Sequence, residues 1–223
     1  MKTRLLLAAF CFAIILPGSA PAQNVISNLS QSASFGTSID APNEKEASFR
    51  TGPDDTRITQ LSLKVQQGDF GTFSGTFAVS LFLADNTTNE PTAARLAMDT
   101  LAFSMVGQTS TILVFGSTDL VNLGAYTLNS NTKYSLVISN STEANFGPLT
   151  TLNPTYFQSG GFSALGTLSS TDNGLSWASY AGSSLIYGFN VTTVVPEPSA
   201  YALLLGAVAL GLAGWIRGRR RVT

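Results

Sequence analysis

The chain carries few side chains that can do covalent chemistry. It has no histidine, and its single cysteine is Cys11, near the N-terminus. Catalysis by a Ser-His or Cys-His pair, and zinc binding through histidine, need residues that the chain lacks. Two carboxylates would suffice for a glycan hydrolase, but no pair stands out, because most Asp and Glu residues lie beside Gly, Pro, Asn or Ser. We therefore expect no enzymatic activity, with a carboxylate-dependent glycan hydrolase as the last-ranked alternative.

One loop offers oxygen ligands of the kind that calcium prefers. Asp85, Asn89 and Glu90 lie close together in a polar segment. Their spacing does not match an EF-hand, and polar residues are usual in loops between strands. The sequence therefore predicts no cofactor, with calcium at this loop as the alternative.

A local motif at 170–177, Ser-Thr-Asp-Asn-Gly-Leu-Ser-Trp, follows the pattern S-x-D-x-G-x-x-W. It resembles the Asp-box of sialidase-like propellers, a hairpin in which the Asp side chain bonds turn amides and the Trp packs beneath. One copy without a blade-length repeat does not support a propeller. We expect a stabilised hairpin with Trp177 at its core-side end. The alternative is that Trp177 or Tyr180 stacks on a sugar ring.

The segment 195–223 combines a proline motif, an apolar run and a basic cluster. In chain order these are Val195, Pro196, Glu197 and Pro198, then residues 200–216, then Arg217, Arg219, Arg220 and Arg221. At about 1.5 Å per residue, the uncharged run reaches roughly 25 Å and predicts a single transmembrane helix. Basic residues mark the cytoplasmic side, so we expect everything before the motif to lie outside.

This tail resembles the PEP-CTERM sorting signal of Gram-negative bacteria, in which a Pro-Glu-Pro triplet (here 196–198) precedes a transmembrane stretch and a basic cluster (here 217–221). The resemblance implies that an exosortase, a membrane protease-transferase, removes the hydrophobic tail. The precursor would lie transiently in the inner membrane with its ectodomain in the periplasm, and the mature form at the cell surface or outside the cell. The alternative is an ordinary single-span anchor.

The N-terminus has the pattern of a secretory signal peptide. Lys2 and Arg4 precede an apolar run at 5–16, and small residues follow at the predicted cleavage site, Ala20 and Ala22. Signal peptidase would cut before Gln23. The chain is thus divided into a signal peptide (1–22), an ectodomain (23–194) and a sorting tail (195–223).

The predicted ectodomain is free of cysteine and modestly acidic. Cys11 leaves with the signal peptide, so we expect no disulfide. The ectodomain has twice as many carboxylates as bases, and the bases are Lys45, Arg50, Arg57, Lys64, Arg95 and Lys133. A surface of this charge would repel phosphate backbones, so nucleic acid is excluded as a partner.

Alternating hydrophobicity predicts β-strands throughout the ectodomain. Phe77, Val79, Leu81 and Leu83 fall on one face of a strand, although Phe82 shows that the other face is not wholly exposed. Similar runs lie at 61–65, 134–138 and 185–191, and shorter ones at 47–51, 96–103, 111–115 and 156–158. With turn signals between them, they indicate an all-β antiparallel sandwich or jelly roll. A fibrous Ser/Thr-rich segment is the competing interpretation.

The order of segments also resembles the ectodomain family called choice-of-anchor R, which is attached to different surface anchors. The resemblance rests on Ala-Ser-Phe-Arg-Thr-Gly at 47–52, Val-Ser-Leu-Phe-Leu at 79–83 and Thr-Lys-Tyr at 132–134. It implies the same architecture and a surface location, and no activity. We expect an exported structural or matrix protein associated with exopolysaccharide, with a glycan-binding, lectin-like module as the alternative.

Overall fold

The computed structural model describes residues 23–33, 38–39, 41–179 and 183–194, together with Gly206. Fourteen strands and one short helix lie in this part of the chain. In order they are β1 (Gln23–Ser27), β2 (Glu44–Arg50), β3 (Thr56–Gln67), β4 (Thr72–Ala84), β5 (Pro91–Val106), β6 (Thr111–Phe115), α1 (Val121–Ala125), β7 (Lys133–Ser139), β8 (Phe146–Pro148), β9 (Thr150–Leu152), β10 (Phe157–Gln158), β11 (Ser163–Ser170), β12 (Ala178–Ser179), β13 (Ser183–Leu185) and β14 (Tyr187–Thr193).

The strands form two six-stranded sheets. The first sheet has the order β10-β1-β14-β3-β6, with β8 also paired to β3, and the second has the order β12-β11-β2-β7-β4-β5. A small two-stranded sheet joins β13 to β9. All of these pairs are antiparallel. The prediction of an all-β fold with antiparallel, sandwich-like sheets is confirmed for the described residues.

Aromatic rings fill the space between the two sheets. Phe49 of β2 lies 4.7 Å from Phe189 of β14, centroid to centroid, and Phe77 of β4 lies 5.6 Å from Phe115 of β6. Each of these side chains is buried. Such pairs add about 0.5–1.5 kcal/mol beyond the burial of their area, so the many phenylalanines of the sequence serve the core.

Strand β4 keeps the predicted faces through Leu83. Phe77, Val79 and Leu81 are fully buried. The pairing of β4 with β5 shifts register on both sides of Phe82, whereas the pairing of β4 with β7 does not shift. Leu83 lies opposite Tyr134, which is fully buried, so it shares the core face as predicted, although it is 39% exposed near the end of the strand.

All of the predicted strand runs coincide with strands, although the run at 185–191 is divided between β13 and β14. The sequence analysis missed β1, β8, β9, β11 and β12, which are short or rich in small residues. It also missed α1, a single turn of helix that packs against β3 and β5.

The first and last strands of the described β-structure meet at one end of the first sheet. Gln23 of β1 lies opposite Val191 of β14, and the Val194 amide donates to the Asp55 carbonyl at 2.8 Å. Among the described residues, no helix is long and apolar enough to cross a membrane. The predicted transmembrane helix at 200–216 falls outside them, apart from Gly206, which is helical.

Candidate functional site

The motif at 170–177 forms the predicted hairpin between β11 and β12. The Asp172 carboxylate accepts hydrogen bonds from the Ser176 amide (2.9 Å) and hydroxyl (2.5 Å) and from the Ser170 hydroxyl (2.7 Å). These bonds, with that from the Ser176 hydroxyl the largest cause, lower the pKa of Asp172 to about 2. Asn173 and Gly174 have φ of 55° and 77°, the left-handed conformation that Asn and Gly adopt most readily.

The sequence analysis predicted Trp177 at the core-side end of this hairpin, and this prediction is wrong. Trp177 is half-buried and is absent from the hydrophobic core between the sheets. The hairpin begins where Ser170 pairs with Glu44, at one end of the second sheet. Together with residues of β4, β5 and β7, the hairpin encloses a cleft, and the indole lines that cleft rather than the core.

We call this concavity the Trp177 cleft. Its volume is about 280 Å³. The side chains that give it its chemical character are Glu44, Phe82, Arg95, Asn140, Asn173 and Trp177. Ser80, Val137 and Ser139 also line it, and they alternate along β4 and β7 with residues of the core. The cleft therefore lies on the face of the second sheet that points away from the core.

A β-bulge in β5 lies at one wall of the cleft. Phe82 lies opposite Arg95, whereas Leu81 lies opposite Ala97, so β5 has an extra residue at this point. Bulges commonly redirect side chains in this way. Arg95 is exposed, and its Nη1 lies 3.1 Å from Met98 Sδ, which also lines the cleft.

Glu44 and Trp177 adjoin at the opposite wall. A Cβ at Gly174 would lie 2.8 Å from Glu44 Oε2, so the carboxylate would have to shift, and 3.5 Å from Trp177 Cζ2, which is an ordinary contact. Burial raises the pKa of Glu44, and the nearby Asp172 charge raises it further. The result is an aromatic ring beside a carboxylate, with amides and a guanidinium around them.

Glu44 and Asp172 are a pair of carboxylates with pKa values pushed in opposite directions, the pattern of a glycosidase acid and its partner. Asp172, however, accepts three hydrogen bonds within its own hairpin, and it does not line the cleft. The oxygens of Asp172 accept hydrogen bonds within the turn, so Glu44 and Asp172 do not form the catalytic pair that the hydrolase alternative requires.

A lysine holds the loop at 85–90, which was the alternative site for calcium. Lys133 Nζ donates to Asn89 Oδ1 at 2.9 Å and to the Asn86 carbonyl at 2.7 Å. Asp85 Oδ1 accepts the amides of Thr87 and Thr88, at 2.7 and 2.8 Å, and these bonds lower the pKa of Asp85. Among the described residues, no group of three or more carboxylates, histidines or cysteines is placed to hold a metal ion. Glu90 belongs to the same loop and its carbonyl accepts the Asp85 amide at 2.8 Å.

A second and larger concavity, the Tyr156 cleft, has a volume of about 480 Å³. Its lining is uncharged and rich in hydroxyl and amide groups, including Ser48, Asn89, Asn153, Tyr156, Thr167 and Ser184. The Tyr156 hydroxyl hydrogen-bonds the Ser184 hydroxyl. Sequence patterns gave no indication of this cleft, because its residues come from six separate segments.

Glu46 lies next to the Tyr156 cleft and is wholly buried. Its Oε2 accepts the amide of Leu168, a cleft residue, at 3.2 Å, whereas its Oε1 has no hydrogen-bond partner. Burial raises the pKa of Glu46 to about 8, against the opposing effect of the Ser135 and Ser48 hydroxyls. The side chain is therefore neutral at pH 7, which makes its burial tolerable.

The remaining predicted site residues lie outside the described part of the chain. They are the cleavage residues Ala20 and Ala22, the candidate sugar contact Tyr180, the motif Val195, Pro196, Glu197 and Pro198, and the basic cluster Arg217, Arg219, Arg220 and Arg221. Gln23, the predicted first residue of the mature chain, is the first residue of β1.

No protein-family model and no curated protein match the chain. Among solved structures, the chain is similar to one from the structure of infectious bursal disease virus, Gt strain, with 13% sequence identity and a TM-score of 0.30. The alignment covers 81% of this chain and 44% of the viral chain, so this chain spans less than half of the viral one. A TM-score of this size does not indicate a shared fold.

Proposed function

We propose that this chain is an exported cell-surface or extracellular-matrix protein, sorted by an exosortase-type system and associated with exopolysaccharide in a structural role. The observation that carries the proposal is the order of features in 195–223: the Pro-Glu-Pro triplet, the apolar run, then the arginines. Both prolines lack an amide donor and disfavour helix in the residue before them. The triplet is therefore suited to the extended conformation in which proteases commonly bind a substrate.

The position of the last strand supports removal of the tail. Strand β14 ends at Thr193, and the bond from the Val194 amide to the Asp55 carbonyl is the last described contact before the triplet. Cleavage near 196–198 would leave all fourteen described strands intact. Cleavage before Gln23 would likewise spare β1.

Glycan binding is the second candidate function, and the Trp177 cleft favours it. A half-buried indole beside carboxylate, amide and guanidinium groups is the composition of a small polar ligand site. A glycan hydrolase remains the last-ranked function, because the Asp172 carboxylate accepts hydrogen bonds within its own hairpin.

Mass spectrometry of the protein recovered from the cell surface and medium tests the sorting proposal. We expect a C-terminus near the triplet, with residues 200–223 missing. Replacing Pro196 and Pro198 by Ala should leave full-length protein in the inner membrane, whereas Pro154→Ala, a matched change in the ectodomain, should not. Full-length unmodified protein, found only in the inner membrane of a strain with an active exosortase, would instead support the plain anchor.

A further inference from the structure

The Trp177 cleft has the size and shape for a small ligand. Its volume of about 280 Å³ is close to the lower end, about 300 Å³, of the usual range for ligand pockets. A site of this size suits one sugar ring better than a long stretch of polymer. It is bounded by the indole of Trp177 and the ring of Phe82, both half-buried, so an apolar surface remains available within it.

The polar groups of the cleft match the hydroxyls of a sugar. Glu44 supplies a carboxylate, which accepts hydrogen bonds, and Arg95 supplies a guanidinium, which only donates them. The Asn140 and Asn173 amides do both. The indole offers a flat apolar face on which the C–H face of a pyranose can stack.

The charges around the cleft discriminate against an anionic sugar. Glu44 lies within it, and the Asp172 charge is near enough to raise the pKa of Glu44. Arg95 is the cationic side chain that lines the cleft. Two carboxylates against one guanidinium leave a negative balance, which would repel a uronate or a sulfated ring.

We infer that the Trp177 cleft binds a single neutral pyranose ring of a polysaccharide, stacked on Trp177 and held through its hydroxyls by Glu44 and Arg95. This inference deepens the glycan-binding candidate, on which it rests, by naming the ligand class and the residues that select it. Asp172 has a positioning role, since its hydrogen bonds shape the turn that places Gly174 between Glu44 and Trp177.

The test is isothermal titration calorimetry on the purified full-length chain, in a detergent without a sugar headgroup. The probes are three neutral soluble polysaccharides (a β-glucan, an α-glucan and a galactomannan) and the anionic polygalacturonate. We compare Glu44→Gln and Trp177→Ala with two matched controls outside the cleft. The controls are Glu143→Gln and Phe70→Ala, the latter at an aromatic ring that is 83% exposed.

We expect binding to at least one neutral polysaccharide, weakened about tenfold or more by Glu44→Gln and by Trp177→Ala and unchanged in both controls. Binding only to polygalacturonate overturns the inference, as does binding to none of the four probes. Affinity that is unchanged in Glu44→Gln overturns it too, and this near-isosteric variant decides the matter if Trp177→Ala fails to fold.

The inference and the sorting proposal fail in different experiments. Loss of glycan binding leaves the mass and location of the processed protein unaffected. Conversely, full-length protein retained in the inner membrane says nothing against the cleft. Binding of the native exopolysaccharide that survives Glu44→Gln would support a matrix role while locating the contact elsewhere on the chain.

Discussion

Lys133 Nζ lies 2.9 Å from Asn89 Oδ1, and it places an ammonium group among the oxygens of the loop at 85–90. A calcium ion at Asn89 would have to displace this group or lie beside it, and like charges at that separation repel. The positive charge that the loop oxygens attract is thus supplied by the chain itself.

We expect excess calcium to leave the melting temperature of the protein unchanged, because a ligand stabilises only when it binds the folded state. Replacing Lys133 by Met should lower the free energy of unfolding by about 1–3 kcal/mol, since two oxygens lose a charged donor. Differential scanning calorimetry with calcium and then with a chelator measures the first effect. If calcium raised the melting temperature of the unmodified protein, the prediction would be wrong, and Asp85, Asn89 and Glu90 would again be candidate calcium ligands.

The second prediction concerns acid stability and Asp172. Its pKa is lowered to about 2, against about 3.9 in an unfolded chain, so the carboxylate stabilises the folded state above pH 4. That contribution is lost as the pH falls through 2. The free energy of unfolding of Asp172→Asn should therefore differ most from that of the parent above pH 4, and this difference should shrink at lower pH. Urea unfolding between pH 2 and 6 measures this, with Asp54→Asn, at an exposed carboxylate, as the control. A difference that is constant over that range would count against the prediction.

The third prediction has the opposite sign and concerns Glu46. Its pKa is about 8 in the fold, because burial favours the neutral acid, and about 4.3 when unfolded. Between these values only the folded state holds the proton. Stability should therefore fall as the pH rises from 5 to 8, with a slope approaching about 1.4 kcal/mol per pH unit, and level off above the folded pKa.

Glu46→Gln should remove that slope, since the amide stays neutral, and it should be more stable than the parent above pH 8. Tyr156 and Tyr187, the phenols near Glu46, have raised pKa values through their own burial and stay neutral in this range. Chemical denaturation at several pH values, with Glu143→Gln as the control, measures the slope. An equal slope in parent and variant would show that Glu46 is ionised in the fold.

The fourth prediction concerns a close approach of two loops. A Cβ at Gly52 would lie 1.9 Å from the carbonyl oxygen of Gly160, and that oxygen belongs to the backbone. Gly52→Ala should therefore force the loops apart and lower the free energy of unfolding by about 1–3 kcal/mol. Gly116→Ala is the matched control, since nothing lies within 4 Å of its Cβ position, and it should change stability little. Equal effects of the two substitutions on urea unfolding would be inconsistent with a steric cause.

Sequence patterns predicted those parts of the fold that depend on residues close together in the chain. Strands β3, β4 and β7 were predictable because large apolar residues recur at every second position along each strand, although β7 is buried on both faces. The 170–177 hairpin was predictable because its motif fixes the turn. Strand β11 was not, since its sequence, Ser-Ala-Leu-Gly-Thr-Leu-Ser-Ser, has few large apolar residues and is interrupted by a bulge before Gly166.

The clefts were not predictable, because they depend on how distant strands pair. Glu44 and Arg95 are far apart in sequence, and they reach the same cleft only through the order of strands in the second sheet. The bulge in β5 lies opposite Phe82, at one wall of the cleft. The sequence held two clues to the cleft. They are Trp177, named as a candidate sugar contact, and Phe82, a large apolar residue on the face predicted to be polar.

The pairing of Gln23 with Val191 places both ends of the described sandwich at the end of the first sheet where β3 starts. The chain leaves the first sheet after Val194, beside Asp55, where β3 starts. Strand β3 then runs for twelve residues, which at about 3.3 Å each is about 40 Å, to the far end of the sheet. The strand directions place the 170–177 hairpin at that far end, since Ser170 pairs with Glu44 and β2 and β7 are antiparallel. In a protein held at 195, the hairpin would therefore lie at the end of the sandwich away from the point of attachment, about 40 Å from it along the strand direction.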